Sequence, residues 1–148
     1  MDEQQVEELY NQYKTGIYRY SLSILKNPAA AEDVLQDTFL RVLNADGCLW
    51  SPGKEQAWLY RVARNLCYDH LRKTKRTQAE AEPTDPGGYL WLELTAPLNR
   101  QELEIVSLKI LGGLTHEEVA RVLKCTTHAA KKRYERAIHK LRRQMKEE

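Results

Sequence analysis

The chain has 148 residues, of which 42% are hydrophobic and 30% charged, and a formal net charge of +2. That length suits one ordinary domain or two very small ones, and the balance suits a soluble globular protein with much charged surface. No apolar run approaches the roughly 20 residues that a membrane helix needs, so no membrane insertion is expected. The polar, acidic stretch Met1 to Glu8 does not read as a secretory leader. Cys48, Cys67 and Cys125 are odd in number and far apart, which argues against a disulfide framework and for a reducing cytoplasm.

The small net charge hides a split along the chain. Asp2, Glu3, Glu7, Glu8, Glu32, Asp33, Asp37 and Asp46 outnumber the basic residues of the opening stretch. Arg61, Arg64, Arg72, Lys73, Lys75 and Arg76 make the middle basic. From Lys124 onward Lys131, Lys132, Arg133, Arg136, Lys140, Arg142, Arg143 and Lys146 crowd one segment. This division suggests an acidic, protein-contacting end and a basic, nucleic-acid-contacting remainder, unless the charges are merely solvated helix faces.

Taken in chain order, the periodicity is helical throughout. Val6, Leu9, Tyr10, Tyr13, Ile17, Tyr20, Ile24 and Leu25 recur at three- and four-residue steps and mark a first helix. Asn27-Pro28 ends it and opens a second, whose inward set is Ala31, Val34, Leu35, Thr38, Phe39, Val42 and Leu43. Asp46-Gly47 and Pro52-Gly53 bracket a loop. A third helix is expected from about Glu55 to Lys75, with Trp58, Leu59, Val62, Leu66 and Leu71 inward. Arg76 to Gly88, with two prolines and a closing glycine pair, reads as a linker. The expected organisation is all-α: a domain over residues 1–75, a short flexible linker over 76–91 and a second domain over 92–148. Helical pattern returns around Tyr89 to Leu94 and firmly from Leu98 to Leu111, and Gly112-Gly113 breaks it.

The last segment has the spacing of a helix-turn-helix. Thr115 is placed to cap a short helix, with Glu118 completing a capping box. Val119, Ala120, Val122 and Leu123 form its buried side, and Lys124-Cys125-Thr126 makes the turn. Thr126 or Thr127 caps the final helix, whose apolar stripe is Ala130, Tyr134, Ala137, Ile138, Leu141 and Met145. Its opposite face begins with Thr127, His128, Lys131, Lys132 and Glu135, the arrangement of a helix that reads base edges in the major groove. Arg133, Arg136, Arg142 and Arg143 flank the stripe and suit phosphates. A plain basic helix in a three-helix bundle is the competing reading of the same residues.

Two blocks in the first half are more specific: Ala30-Ala31-Glu32-Asp33-Val34-Leu35-Gln36-Asp37-Thr38-Phe39-Leu40-Arg41-Val42, and the stretch from Glu55 to Lys73 containing Trp58-Leu59-Tyr60-Arg61-Val62-Ala63-Arg64-Asn65. Together they resemble region two of bacterial RNA polymerase sigma factors of the extracytoplasmic-function (ECF) group. Gly113-Leu114-Thr115, Glu117-Glu118-Val119-Ala120 and the spacing of Lys131, Arg133 and Arg136-Ala137 are similar to that family's region four. The resemblance covers nearly the whole chain in the right order. It implies a region-two helical bundle and a region-four helix-turn-helix.

It further implies that Asp33, Gln36, Asp37 and Arg41 dock on the clamp helices of the largest subunit of core RNA polymerase. Without the resemblance, Asp33 and Asp37 would read as a solvated face favourably placed on the helix dipole. The third helix and the loop before it would read and open the minus-ten element of promoter DNA. Arg61, Arg64, Asn65, Tyr68 and Arg72 are the helix residues, and Asn44, Asp46, Trp50 and Ser51 the loop residues. Opening DNA requires basic groups on phosphates and a platform for an unstacked base, for which Trp50 is a candidate; it serves equally well to anchor its own loop. Region four would read the minus-thirty-five element through Thr127, His128, Lys131, Lys132, Arg133, Glu135 and Arg136. Where family members usually carry Gly-Thr-Val-Lys-Ser-Arg, this chain has His128 to Arg133, and Lys124 stands for the usual turn glycine. Members of the family are often held inactive by an anti-sigma factor.

No catalytic set, glycine-rich phosphate loop or cofactor motif has supporting context, so neither an enzyme nor a cofactor is expected. Cys67-x-x-His70 and Cys125-x-x-His128 each offer two metal ligands where a structural zinc site needs four, and no metal is expected. An independent helix-turn-helix regulator that never joins polymerase is the alternative function.

Overall fold

The computed structural model describes residues 2–45, 49–73 and 86–146, side chains of residues 86–89 excepted. All of its regular structure is helical, and local capping chemistry explains most of the helix starts. Helix α1 spans Glu3–Leu25 and opens on a capping box between Asp2 and Gln5. Helix α2, Pro28–Leu43, begins where the Asn27 side chain accepts from the Ala30 N–H and proline fills the first turn. Helix α3 covers Glu55–Lys73 and α4 covers Pro86–Thr95, so helix already occupies part of the stretch expected to be linker. Residues 74–85 lie outside the described residues, as do Asp46, Gly47 and Cys48 of the α2–α3 loop.

Helix α5, Arg100–Val106, opens on a second capping box between Asn99 and Glu102. It runs directly into a π-helical turn, Ser107–Leu111, that closes through the Gly112 N–H on the Ser107 carbonyl at 3.1 Å. Helix α6, His116–Leu123, carries the expected Thr115–Glu118 capping box. Helix α7 spans Thr127–Lys146, and Thr126 is its cap, accepting from the Ala129 N–H at 3.0 Å.

Helices α1, α2 and α3 form one bundle around Ile17, Tyr20, Val34, Phe39, Leu59 and Leu66, with Tyr10 edge-on to Phe39. Helices α5, α6 and α7 form a second around Ile105, Leu108, Val119, Val122 and Leu141. The fully buried Ala130 and Ala137 let α7 approach α5 and α6 closely. The two bundles are not separate. Helix α3 lies on α6, α1 lies on α5 and the π turn, and the buried apolar side chains form one continuous cluster.

Tyr60 is the knob at this junction, 1% exposed. A Cβ at Gly16 would collide with its hydroxyl, and one at Gly112 would sit 3.1 Å from its ring and 2.8 Å from the Leu108 carbonyl. Gly113 follows with φ +69°, the left-handed turn that redirects the chain into α6. The sequence pattern ran uninterrupted from Leu98 to Leu111 and gave no sign of the π turn. Its extra residue per turn is what seats Gly112 against Tyr60.

Two residues expected inside are outside. Leu43 is 52% exposed, one turn on from the exposed Leu40 on the outer face of α2, and Met145 is 63% exposed in the last turn of α7. The turn between α6 and α7 places Lys124 at φ 56°, ψ 48°, the left-handed region that a Cβ disfavours. This gives a conformational reason for the departure from glycine to cost stability. Lys124→Gly is expected to stabilise the fold by about 0.5–1 kcal/mol, and the β-branched Lys124→Val to destabilise it by roughly 1–2 kcal/mol, measured by urea unfolding.

Candidate polymerase and nucleic-acid interfaces

The polar residues of α2 stay in solvent. Asp33, Gln36, Asp37 and Arg41 are all exposed, while Val34, Leu35, Thr38, Phe39 and Val42 turn inward, as the helical period requires. Beside them Leu40 is half exposed, at 50%, and with the exposed Leu43 it makes the outer face of α2 mixed rather than purely polar. A groove of about 410 Å³ runs along this face, lined by Asp37, Leu40, Arg41, Asn44, Ala45 and Leu66. Asn44, the C-cap of α2, therefore joins the docking candidates rather than standing apart in the loop. Trp50 and Trp58 pack together with ring centroids 5.3 Å apart, which ties the loop to α3. Asp46 lies outside the described residues.

The residues of α3 that read as a solvent-facing stripe are mostly covered by the second bundle. The Arg61 guanidinium donates to the carbonyl of Arg121 at 2.8 Å, in the last turn of α6, where exposed helix carbonyls favour a cation. Arg64 pairs with Glu104 of α5 through its Nε, and its guanidinium lies 4.8 Å over the Tyr68 ring. Tyr68 donates to the other carboxylate oxygen of Glu104 at 2.8 Å, and Tyr20 of α1 donates to the first at 3.2 Å. Asn65 is exposed; Arg72 is exposed and paired with Asp69.

Arg64, Asn65, Tyr68 and Arg72 thus line a cleft of about 410 Å³ whose other wall is Gln101, Glu104, Leu123 and Arg133. The two surfaces expected to read DNA meet across it. On α7, Thr127, His128, Lys131, Lys132, Arg133, Glu135 and Arg136 are all exposed, with Lys132 and Glu135 forming a loose pair at 3.8 Å. Such an exposed pair contributes little to stability and leaves both groups available to a ligand.

Glu104, missed in the sequence, organises this region. It is 3% exposed yet carries the acceptors for Tyr20, Arg64 and Tyr68. The signal was a single acidic residue inside the apolar run Leu103 to Leu108. Further polar links join the bundles: the Ser23 and Ser107 hydroxyls lie 2.9 Å apart and the Gln56 amide donates to the Gly112 carbonyl at 3.0 Å, while the Trp91 indole of α4 donates to Ser23 at 2.8 Å.

Burial and the neighbouring carboxylate shape the titration of the cluster. Burial, then the charge of Glu104, holds the Tyr20 phenol well above its ordinary range and pushes Tyr68 up to about 12. Burial works against the charged form of Arg64, and the Glu104 carboxylate more than restores it. Burial also pushes the Cys67 thiol up to about 12, leaving it a packed apolar group.

Comparison with known proteins places this arrangement in a family. Residues 9–77 match the model of Sigma-70 region 2, and residues 96–143 match that of Sigma-70, region 4. The chain belongs to the sigma-70 family of RNA polymerase sigma factors, in its ECF group. It is 33% identical to the ECF RNA polymerase sigma factor BldN of Streptomyces coelicolor, over 91% of this chain and 58% of that one. The match therefore spans a little over half the length of that relative. The fold is similar to that of CnrH in a complex with the cytosolic domain of CnrY (TM-score 0.76, 22% identity, 99% of this chain and 91% of that one). It is also similar to that of the sigma factor RpoE in a complex with the anti-sigma factor NepR from Bartonella quintana (TM-score 0.73, 21% identity, 97% and 96%).

The phenols of the junction supply a check on its packing. Tyr20 and Tyr68 have raised folded-state values, so their contribution to stability is complete below the unfolded phenol range near 10 and is lost as pH rises through the folded values. Alkaline titration followed by tyrosinate absorbance is expected to show a late phase coinciding with unfolding. In the variant Tyr68→Phe that phase is expected to shrink and unfolding to begin at lower pH.

Proposed function

We propose that this chain is a sigma subunit, which binds core RNA polymerase and directs it to particular promoters rather than catalysing a reaction itself. The observation that carries this reading is the outer face of α2, where Asp33, Gln36, Asp37 and Arg41 surround the exposed Leu40 and Leu43. Such a mixed face fits a helical, basic partner surface: charge steers the encounter and the leucines supply apolar area to bury. The largest subunit's clamp helices, which the family uses, are that partner. Residues 1–75 would serve as the polymerase and minus-ten unit, and residues 92–148 as the minus-thirty-five unit.

On promoter DNA, Arg61, Arg64 and Arg72 would neutralise phosphates, with Asn44, Trp50, Asn65 and Tyr68 beside the opened strand. Thr127, His128, Lys131, Lys132 and Glu135 would enter a major groove, with Arg133 and Arg136 on its backbone. The site of action is the cytoplasm, where polymerase works. An anti-sigma factor, as in the RpoE complex, is the natural regulatory partner.

The test is co-elution of the purified chain with core RNA polymerase, beside the triple variant Asp33→Lys, Gln36→Ala, Asp37→Lys, checked for folding by circular dichroism. The expected result is a complex for the natural chain and at least a tenfold weaker one for the folded variant. A natural chain that binds duplex DNA tightly but never joins core polymerase would overturn the reading and favour a free-standing regulator.

A further inference from the structure

We propose that Glu104 is an internal latch. It occupies the guanidinium and phenol that region two needs for the opened DNA strand, and it holds the polymerase-free chain closed. The proposal rests on the reading of Arg64 and Tyr68 as part of the minus-ten surface, and it assigns them a second, competing ligand within the chain.

The argument begins with the chemistry of the contact. A carboxylate that takes an arginine Nε–H and a tyrosine O–H on its two oxygens presents the same acceptors as a backbone phosphate. Glu104 meets Arg64 and Tyr68 in this way, while Tyr20 adds a third donor from α1. The described hydrogen-bond donors to Glu104 all belong to the first bundle, although Glu104 itself lies on α5 of the second. A buried charge placed so serves the junction between the bundles and not the packing of its own.

Geometry gives the second argument. Arg133 of α7 lines the same cleft as Arg64, Asn65, Tyr68 and Arg72. Elements centred 25 base pairs apart are separated by about 85 Å along a duplex at 3.4 Å per pair. Two surfaces that share one cleft cannot reach both. The closed chain has to open before it reads a promoter, and the Glu104 cluster, with the Ser23–Ser107 and Gln56–Gly112 links, has to part.

Two variants of the full chain test this without polymerase. Glu104→Gln keeps the shape and removes the charge. In a background carrying Cys48→Ser and Cys125→Ser, Ser23→Cys with Ser107→Cys allows a disulfide where the hydroxyls now lie 2.9 Å apart, locking the bundles together. The probe is a fluorescein-labelled, single-stranded, mixed-sequence DNA of about 20 nucleotides, followed by anisotropy. Small-angle scattering reports the shape of the same samples.

Glu104→Gln is expected to increase the radius of gyration and to tighten DNA binding by roughly tenfold or more, since the closed population no longer discounts affinity. The oxidised cysteine pair is expected to lose binding by a similar factor and to regain it on reduction. Unchanged affinity in either variant, or a Glu104→Gln chain as compact as the natural one, overturns the latch. Should Glu104→Gln not fold, the oxidised and reduced forms of the cysteine pair decide alone. Because no polymerase is present, failure of the latch is distinguishable from failure of the sigma reading, which co-elution tests separately.

Discussion

A carboxylate withdrawn from water must be met by donors on every side, and in this molecule Glu104 is met by residues that come from elsewhere in the chain. With 3% of its surface exposed, it would be among the most unfavourable groups in the fold if the first bundle moved away without letting water in. Its demand fixes the rotation of α3 against α5, since Arg64 and Tyr68 lie one helical turn apart and must both reach it. The remaining junction follows from that placement. Arg61 then falls on the end of α6, Gln56 on the π turn, and Tyr60 into the gap left by Gly16 and Gly112.

The faces kept free are as informative as those that are covered. Helix α2 turns its acidic and leucine-bearing side outward, and α7 keeps the first turns of its basic face in solvent. Both are long helices packed along one side only, so their outer faces cost the fold nothing and can be specialised for partners. By contrast, the polar side of α3 is shared between intramolecular contacts and the role proposed for it on DNA. A protein with two interchangeable sets of contacts for the same side chains has the ingredients of a two-state element.

Much of the architecture was legible because it is written in local chemistry. Asn27-Pro28 and the Thr115–Glu118 pair announce helix starts through bonds made within three residues. The stripes of α1 and α7 follow from period alone. What could not be read was non-local. Glu104 finds Arg64 forty positions away and Tyr20 eighty-four positions away, and nothing around it in the chain names either partner. The arginines and tyrosine of α3 look the same whether they face water, nucleic acid or another bundle. Leu43 sits at the edge of its stripe and turns outward beside Leu40, and Met145 lies in the exposed last turn of α7. The candidate residues of α2 and α7 were placed outward correctly because exposure on a singly packed helix follows its period. Of those on α3, Asn65 and Arg72 are exposed as read, while Arg61, Arg64 and Tyr68 are partly covered, because that helix is packed on two sides.

The depth of Glu104 also gives the molecule a response to salt. Mobile ions screen exposed charges beyond about 10 Å at 0.1 M and screen a partly buried pair much less. The exposed residues Lys131, Lys132, Arg133 and Arg136 belong to the first kind, and the Glu104 cluster to the second. Affinity for a polyanion falls steeply as counterions accumulate, while the partly buried Arg64–Glu104 attraction is weakened less. For the latch proposed above, rising ionic strength would tilt the chain toward its self-contained form, and dilution toward a nucleic-acid-bound one.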